Sequence, residues 1–206
     1  MVRPKLFGTD GARGTYTKEY GPGLINAETF TSLTVATVDV LEPQYVIVGS
    51  DTRDSSPILS EAVIMGAVRA GAHVIDLGVA PTPVIGWCLS ELQSPNAIGV
   101  SVTASHNRHP DNGLKVLLPG GQKLSKAQTD AIENTYWEST LANSVNNSMP
   151  GSNVDEPRLS ERYISYIVEK MEVTFGERPL RDKVFVVDTA YGAVKKFTPS
   201  VLERLG

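Results

Sequence analysis

Short apolar runs alternate with helix-like segments between residues 26 and 141, and this alternation restricts the fold more than any other feature of the chain. Apolar runs flanked by polar or turn residues predict buried strands at 45–48, 73–77, 97–102 and 116–118. Helical periodicity predicts intervening helices at 26–40, 56–70, 83–92 and 125–141. Strands separated by helices indicate an α/β fold with a mixed, largely parallel sheet and helices on both faces.

The predicted helix boundaries rest on capping residues. Asn26 can accept a backbone N–H at the start of the first helix. Ser56 followed by Pro57 is typical of a cap and first helical residue, and Gly71 ends that helix. Ser125-Lys126-Ala127-Gln128 has the form of a capping box.

A change in composition after residue 141 predicts a domain boundary. Residues 142–157 are rich in Asn, Ser, Gly and Pro and poor in apolar side chains, which is typical of a linker. We therefore expect a first domain at 1–141 and the start of a second, similar α/β unit at 158–206. Within that unit the pattern predicts a helix at 159–173, a strand at 184–187 and a helix at 195–205.

The polar segment from Thr103 to Lys115 is the strongest candidate for a functional site. The apolar run 97–102 leads directly into it, so Ser105 is expected in an exposed loop between two strands. Asn112-Gly113 predicts a turn at the end of this loop, and Lys115 stands at the head of the next apolar run.

The chemistry of such a serine depends on its neighbours. A hydroxyl is a weak nucleophile, whereas a phosphorylated serine is a dianionic carrier that needs cations, amides or a metal around it. The loop offers such groups, namely His106, Asn107, Arg108, His109 and Lys115. The same residue types are common in ordinary turns. The loop alone therefore leaves both a plain turn and a phosphate or nucleophile site open.

A serine hydrolase is disfavoured by the context of Ser105. The nucleophile of that class sits in Gly-x-Ser-x-Gly between a strand and a helix, whereas Thr103-Ala104 precede Ser105 and a second strand pattern follows.

Composition excludes several other classes. The formal net charge is −4 and the 19 basic residues are scattered, which disfavours nucleic-acid binding. No apolar run approaches the roughly 20 residues of a membrane-spanning helix. Cys88, the one cysteine, can form no internal disulfide, and its neighbours Trp87 and Leu89 favour a buried thiol. We therefore expect a cytoplasmic protein without membrane or nucleic-acid partners.

Four ordered blocks resemble the α-D-phosphohexomutases, the superfamily of phosphoglucomutases, phosphomannomutases and phosphoglucosamine mutases. Thr103-Ala104-Ser105-His106-Asn107 with Asp111–Lys115 is similar to the phosphoserine loop of that family. The other blocks are Phe7–Gly14, Gly49–Ser55 and Pro81-Thr82-Pro83. Phe-Gly-Thr-Asp-Gly in the first block and Asp-Asn-Gly in the loop are most similar to the bacterial phosphoglucosamine mutases.

The resemblance implies a fold, a reaction and a set of site residues. Phosphorylated Ser105 would exchange its phosphoryl group with a hexose phosphate, through a hexose bisphosphate that also serves as activator. Lys115 would handle the sugar hydroxyl proton, with help from Arg13, and His106 would complete the catalytic set. The phosphate of Ser105 would be one ligand of Mg²⁺, with the other ligands in a later part of the second domain.

The resemblance also has an implication for the activity of this chain alone. It implies the N-terminal portion of a longer isomerase, truncated before the metal-binding loop and inactive alone. Glucosamine 6-phosphate would be the expected substrate, and bacterial relatives suggest a homodimer formed through the first domain. The alternatives are a phosphomannomutase or phosphoglucomutase, and a non-catalytic remnant that binds sugar phosphates.

Three positions depart from the family pattern. Arg108 stands where a proline is usual, which adds a cation and loosens the loop backbone. Ser50 replaces the usual Lys or Arg, and Tyr191 replaces an Asn before Gly192. Asp51 and Arg53 are expected to serve as scaffold around the loop.

Overall fold

The structure is a computed structural model that describes residues 4–21, 23–142, 150–156 and 158–206. Its strands are β1 (Phe7–Gly8), β2 (Gly11–Thr15), β3 (Tyr45–Ser50), β4 (His73–Val79), β5 (Ala97–Val102), β6 (Asp111–Leu118), β7 (Gln122–Lys123) and β8 (Asn153–Asp155). Its helices are α1 (Ala27–Leu41), α2 (Ser56–Arg69), α3 (Thr82–Leu92), α4 (Lys126–Ala142), α5 (Arg158–Phe175) and α6 (Phe197–Leu205). The α/β alternation predicted for residues 26–141 is confirmed.

The strands form one mixed sheet in the order β1-β2-β6-β5-β3-β4-β8, with β7 also paired to β6. Its parallel half consists of β5, β3, β4 and β8. Its antiparallel half consists of β1, β2, β6 and β7, and β6 joins the two halves through an antiparallel pairing with β5. Because β3, β4 and β5 run in parallel, their carboxyl ends meet at one edge, where ligands of such sheets bind.

Helices cover both faces of the sheet, as the alternation predicts. Side chains of β3 alternate between two apolar clusters, since successive residues of a strand point to opposite faces. Val46 and Val48 pack with Phe30 of α1 and Leu59 of α2. On the other face, Ile47 belongs to a second apolar cluster. Its helical members include Ile85 and Leu89 of α3, Ile164 of α5 and Phe197 of α6.

Two of the three predicted helix starts have the expected cap. The Asn26 side chain accepts the Thr29 N–H at 2.8 Å, and Ser125 and Gln128 bond reciprocally as a capping box. The prediction for Ser56 is wrong because it occupies the first helical position, and Ser55 is the residue before it. The Ser56 hydroxyl instead donates to Asp51 Oδ1 at 2.5 Å.

The predicted turn at Asn112-Gly113 is also wrong, because both residues lie inside β6. Asn112 is fully buried and its side-chain amide donates to the hydroxyls of Ser55 and Ser56. A Cβ on Gly113 would lie 2.6 Å from the Ala12 carbonyl oxygen on β2. The glycine therefore allows close strand approach, and the loop ends before it.

The C-terminal region differs from the sequence prediction in one strand. Val184–Val187 is not in a strand, and Val184 and Val186 are 93% and 99% exposed. An isolated apolar segment lacks the backbone partners that a strand requires, and no strand of the described residues runs beside it. The helix predicted at 159–173 forms as α5, and the one predicted at 195–205 is shorter and begins at Phe197.

The predicted linker lies partly outside the described residues, at 143–149 and 157. Within it, Asn153–Asp155 forms β8, which pairs with β4 at the edge of the sheet. The chain thus returns to the sheet before α5 begins.

Cys88 lies on α3 with 2% of its surface exposed, as predicted for a structural thiol. Burial raises the pKa of the Cys88 thiol to about 12, so the reactive thiolate is scarce at neutral pH.

None of the helices in the described ranges combines the length and the apolar character needed to cross a bilayer.

The pairing of β4 with β8 brings Asp76 opposite Asp155. Burial, followed by the charge of Asp155, raises the pKa of Asp76, and the Gly78 N–H bond partly offsets both. Because the pKa of Asp76 is higher in the folded than in the unfolded protein, the free energy of unfolding falls as the pH rises through these two pKa values. Asp76→Asn removes this penalty and keeps an acceptor for Gly78.

We expect Asp76→Asn to raise the Tm at pH 7 by about 1–2 °C, a small effect because Asp76 is only half-buried. The gain should vanish below pH 4, where the parent carboxyl is protonated. Thermal melts of both proteins at several pH values measure this, and an equal gain at all pH values would contradict the electrostatic explanation.

Candidate functional site

A cleft of about 960 Å³ lies at the carboxyl ends of β3, β4 and β5. Asp51 follows β3 directly, Ala80 follows β4, and Ser105 lies in the loop after β5. We call this the Ser105 cleft. Its walls include Asp51–Arg53, Ala80–Pro83, Ser101, Thr103, Ser105–Asn107, His109 and Thr189–Val194. Asp51 and Ser105 therefore lie at the same edge of the sheet.

Ser105 is exposed and adopts a left-handed backbone conformation, with φ of 58°. This conformation is unfavourable for a residue other than Gly, by about 1–2 kcal/mol, and needs support from its surroundings. The Ser105 N–H donates to Thr103 Oγ1 at 2.9 Å, and Thr103 Oγ1 donates to Asp51 Oδ2 at 2.7 Å. The spacing Thr-x-Ser, typical of a hydroxyl-supported turn, was the available sequence signal for Thr103.

The Asp51 carboxylate is saturated by hydrogen bonds. Its Oδ1 accepts from Ser56 Oγ and the Arg53 N–H, and its Oδ2 accepts from Thr103 Oγ1 and Arg53 Nε. The Arg53 Nε to Asp51 Oδ2 distance is 2.9 Å, and both side chains are largely buried. Asp51 therefore organises the floor of the cleft, as expected for scaffold.

The Arg53 guanidinium donates hydrogen bonds to the backbone carbonyls of the serine loop. Its two terminal nitrogens donate to five carbonyl oxygens, those of Ser105, Asn107, Arg108, His109 and Asp111, at 2.6–3.2 Å. Together with the ion pair to Asp51, these bonds use every donor direction of the guanidinium fork.

The far end of the loop is attached to β2. Asp111 accepts from the Thr15 hydroxyl at 2.8 Å and from the Asn107 side-chain amide at 3.0 Å. The bond from Thr15, followed by that from Asn107, lowers the pKa of Asp111. A carboxyl whose pKa is lower in the folded protein stabilises the folded state at pH values above its pKa in the unfolded protein. The attachment of Asp111 to Thr15 therefore weakens only as the pH falls into the acidic range.

His106 is exposed on the wall of the Ser105 cleft, beside Ser105. Arg108 is exposed and is not among the residues that line the cleft. Ser50 is 7% exposed at the end of β3. Of these three, only His106 lines the cleft.

Lys115 and Arg13 lie on the same sheet face as Thr103, on the neighbouring strands. Lys115 on β6 is opposite Ser101 of β5, and Arg13 on β2 is opposite Gly113 of β6. Opposite residues of antiparallel strands share a face. Lys115 and Arg13 line smaller hollows formed with residues 5–11, outside the walls of the Ser105 cleft itself.

Arg13 has an unused donor. Its Nε is buried without a hydrogen-bond partner among the described residues. Asp10, a sequence neighbour that could have paired with it, forms an ion pair with Lys123 instead. The hydrogen bond and charge of Lys123 chiefly lower the pKa of Asp10, with smaller contributions from Arg13 and Lys115. These charges therefore lie close together beside the cleft.

A second wall of the cleft comes from Thr189–Val194. Thr52 Oγ1 donates to the Tyr191 carbonyl at 2.6 Å and attaches this segment to the loop that follows β3. Ala190 and Tyr191 both have left-handed conformations, with φ of 46° and 58°. Sequence reasoning linked this block to the family but did not place it at the site.

The described residues contain no group of three or more His, Cys, Asp or Glu side chains suited to a metal ion. Asp51, the one carboxylate on the cleft wall, has both oxygens engaged. For a divalent cation, these residues would offer the phosphate of a modified Ser105 and no free carboxylate pair.

The fold and the cleft define an α/β domain that presents a serine at the carboxyl edge of its sheet. Residues 4–143 match the family described as phosphoglucomutase/phosphomannomutase, alpha/beta/alpha domain I. Since this match covers well over half of the 206 residues, the chain belongs to that family.

Among curated relatives, the chain is similar to bacterial phosphoglucosamine mutases. It is 37% identical to that of Frankia casuarinae over 218 aligned residues, which cover 100% of this chain and 45% of the relative. Identity to the phosphoglucosamine mutase of Thermobifida fusca is 35%, over 98% of this chain and 43% of the relative. The chain thus spans less than half the length of the curated relatives it matches.

Solved structures show the same fold. A phosphoglucomutase/phosphomannomutase family protein of Burkholderia thailandensis aligns with a TM-score of 0.67 at 24% identity, over 82% of this chain and 36% of that one. The phosphoglucomutase parafusin of Paramecium aligns with a TM-score of 0.63 at 18% identity, over 98% of this chain and 42% of that one.

Proposed function

We propose that this chain is the N-terminal part of a phosphosugar mutase that converts glucosamine 6-phosphate to glucosamine 1-phosphate. The observation that carries the proposal is Ser105, held exposed in a left-handed loop at the wall of a large cleft. The similarity to phosphoglucosamine mutases supports the choice of sugar.

The proposed reaction is a double phosphoryl exchange. The bond between phosphorus and Ser105 Oγ breaks while a bond forms between phosphorus and one sugar hydroxyl, which loses its proton. The hexose bisphosphate so formed reorients in the cleft. Ser105 Oγ then recovers a phosphoryl group from the other position, and the proton returns to the newly freed sugar hydroxyl.

We assign the remaining roles from the resemblance to the phosphohexomutases, together with the position of each residue on or beside the Ser105 cleft. Lys115 would receive and return the sugar proton, as general acid–base catalysis requires. Arg13 would bind phosphate oxygens with its unpaired Nε, which is supported by the lack of a protein partner for that buried donor. His106 would contact the phosphate of Ser105 from the cleft wall.

We propose Mg²⁺ as the metal of the complete enzyme, with the phosphate of Ser105 among its ligands. It would neutralise the charge that develops on the transferring phosphoryl group. The described residues contain no further cluster of metal-ligating side chains.

We further propose a cytoplasmic phosphoprotein that pairs through its first domain. The lone, buried Cys88 is consistent with a reducing compartment.

A second candidate is a non-catalytic module that binds sugar phosphates. The saturated Asp51 carboxylate favours it, because the cleft can accept an anion without offering a metal site. The same cleft would also accept mannose or glucose phosphates.

An activity assay separates these candidates. The purified 206-residue chain, with Mg²⁺ and glucose 1,6-bisphosphate as activator, should convert no glucosamine 6-phosphate, because transfer needs charge neutralisation that its carboxylates do not provide. Full-length protein under the same conditions should turn over. Turnover by the short chain would contradict the proposed role of further ligands, and inactivity of phosphorylated full-length protein would favour the binding module.

A further inference from the structure

The loop carbonyls that accept hydrogen bonds from Arg53 also fix the direction of the N–H groups in the same peptide units. In a trans peptide the C=O and the following N–H point in opposite directions. The Ser105 carbonyl points to Arg53 at 2.9 Å, so the His106 N–H is directed away from the guanidinium. The His106 N–H donates to no protein acceptor among the described residues.

Arg53 is otherwise poorly suited to bind a ligand. Its side chain is only 10% exposed, and its donors are used by Asp51 and the loop carbonyls. A guanidinium buried under a loop and neutralised by a carboxylate fixes the position of backbone groups. It contributes little attraction to an anion in the cleft.

The departure at Arg108 increases the need for such a support. A proline would restrict the loop backbone by itself, whereas arginine leaves its dihedral angles free. In this chain the Arg108 carbonyl accepts from Arg53 Nη1 at 2.6 Å and from the Asp111 N–H at 3.0 Å. Hydrogen bonds to Arg53 thus supply the restraint that the loop sequence lacks.

We infer that Arg53 is a positioning residue for phosphoryl transfer: it holds the loop carbonyls behind Ser105, so that the serine oxygen and the His106 N–H face the phosphate together. The His106 N–H is then a backbone donor to phosphate oxygens, in addition to any contact made by its ring. This inference rests on the proposed function for the phosphate, while the loop restraint can be tested without it.

The test compares Arg53→Lys with Arg69→Lys. Lysine keeps the positive charge and a pairing with Asp51, but it cannot reach five carbonyls with a planar fork. Arg69 is exposed at the end of α2, away from the cleft, and receives the same substitution as a control.

The first measurement is amide hydrogen exchange in the 206-residue protein. In Arg53→Lys the amides of Ser105, Asn107 and Asp111 should exchange about tenfold faster or more, because their acceptors lie within the loop. Amides of β3 should keep their rates in both variants. Uniformly faster exchange across β3 and the loop would mean that Arg53 only stabilises the domain, and unchanged loop amides would overturn the inference.

The second measurement is steady-state turnover of glucosamine 6-phosphate by the full-length protein. Arg53→Lys should lower kcat by about 10²-fold with KM nearly constant, the scale expected from a misplaced reacting group. Arg69→Lys should match the parent. A change confined to KM would assign Arg53 to substrate binding and contradict a positioning role. If the parent shows no turnover, the proposed function fails, while the exchange result still decides the restraint of the loop.

Discussion

Replacing Ser105 with glycine should abolish mutase turnover of the full-length protein, because it removes the proposed phosphoryl carrier, and the neighbouring Thr103 hydroxyl is bonded to Asp51 and to the residue 105 N–H. Glycine is preferable to alanine as the first variant, since it adopts the left-handed conformation at φ of 58° without strain. The loop should therefore keep its shape while it loses the carrier. Activity is measured by formation of glucosamine 1-phosphate at saturating bisphosphate.

The control variant is Ser90→Ala. Alanine is used there because Ser90 lies within α3, where glycine would destabilise the helix. The Ser90 residue is exposed, and its hydroxyl donates at 3.3 Å to the Gly86 carbonyl of its own helix. This variant should retain full activity. Turnover of Ser105→Gly at a rate near that of the parent would remove Ser105 from the mechanism.

Replacing Lys115 with methionine should lower kcat of the full-length protein by about 10²-fold or more, the usual scale for loss of a general acid or base. Methionine keeps most of the length and apolar area of the lysine stem. Lys115 is half-buried on β6 and methionine is of similar volume, so the folded state should persist. Steady-state kinetics, with thermal melts as a check on folding, measure the effect.

Lys126→Met is the control for charge removal. Lys126 pairs with Asp130 along α4, and this exposed ion pair contributes little to stability. The Lys126→Met variant should leave kcat unchanged. A loss in Lys115→Met that appears only in KM would assign Lys115 to substrate binding instead of proton transfer.

Elements governed by local chemistry were predictable from the sequence. The buried strand at β3 and the helices capped by Asn26 and Ser125 follow from apolar periodicity and from side chains that bond their own backbone. In each case the information lies within a few residues of the element.

Features that depend on distant partners were not predictable in this way. Asn112-Gly113 has the composition of a turn, yet it lies inside β6. Gly113 allows the close approach of β2, and Asn112 bonds the hydroxyls of Ser55 and Ser56 at the start of α2. Val184–Val187 has the composition of a strand but no strand partner among the described residues. Composition alone cannot supply either contact.

The site shows the same division. The exposed position of Ser105 after β5 could be inferred from the sequence, as could a scaffold role for Asp51 and Arg53. Three other features could not be inferred: the bonds from Arg53 to the loop carbonyls, the bond from Thr103 to Asp51, and the wall formed by Thr189–Val194. Each joins segments that are distant along the chain.

Phosphopeptide mapping of the full-length protein, purified from cells and again after incubation with glucose 1,6-bisphosphate, tests the central claim most directly. A single phosphoryl group should be found on Ser105, and an isotopic label in that group should pass into the sugar phosphates when unlabelled glucosamine 6-phosphate is added in excess. Its absence from Ser105 under both conditions, or a stable phosphate on another residue in a protein that turns over, would contradict the assignment of Ser105 as the phosphoryl carrier.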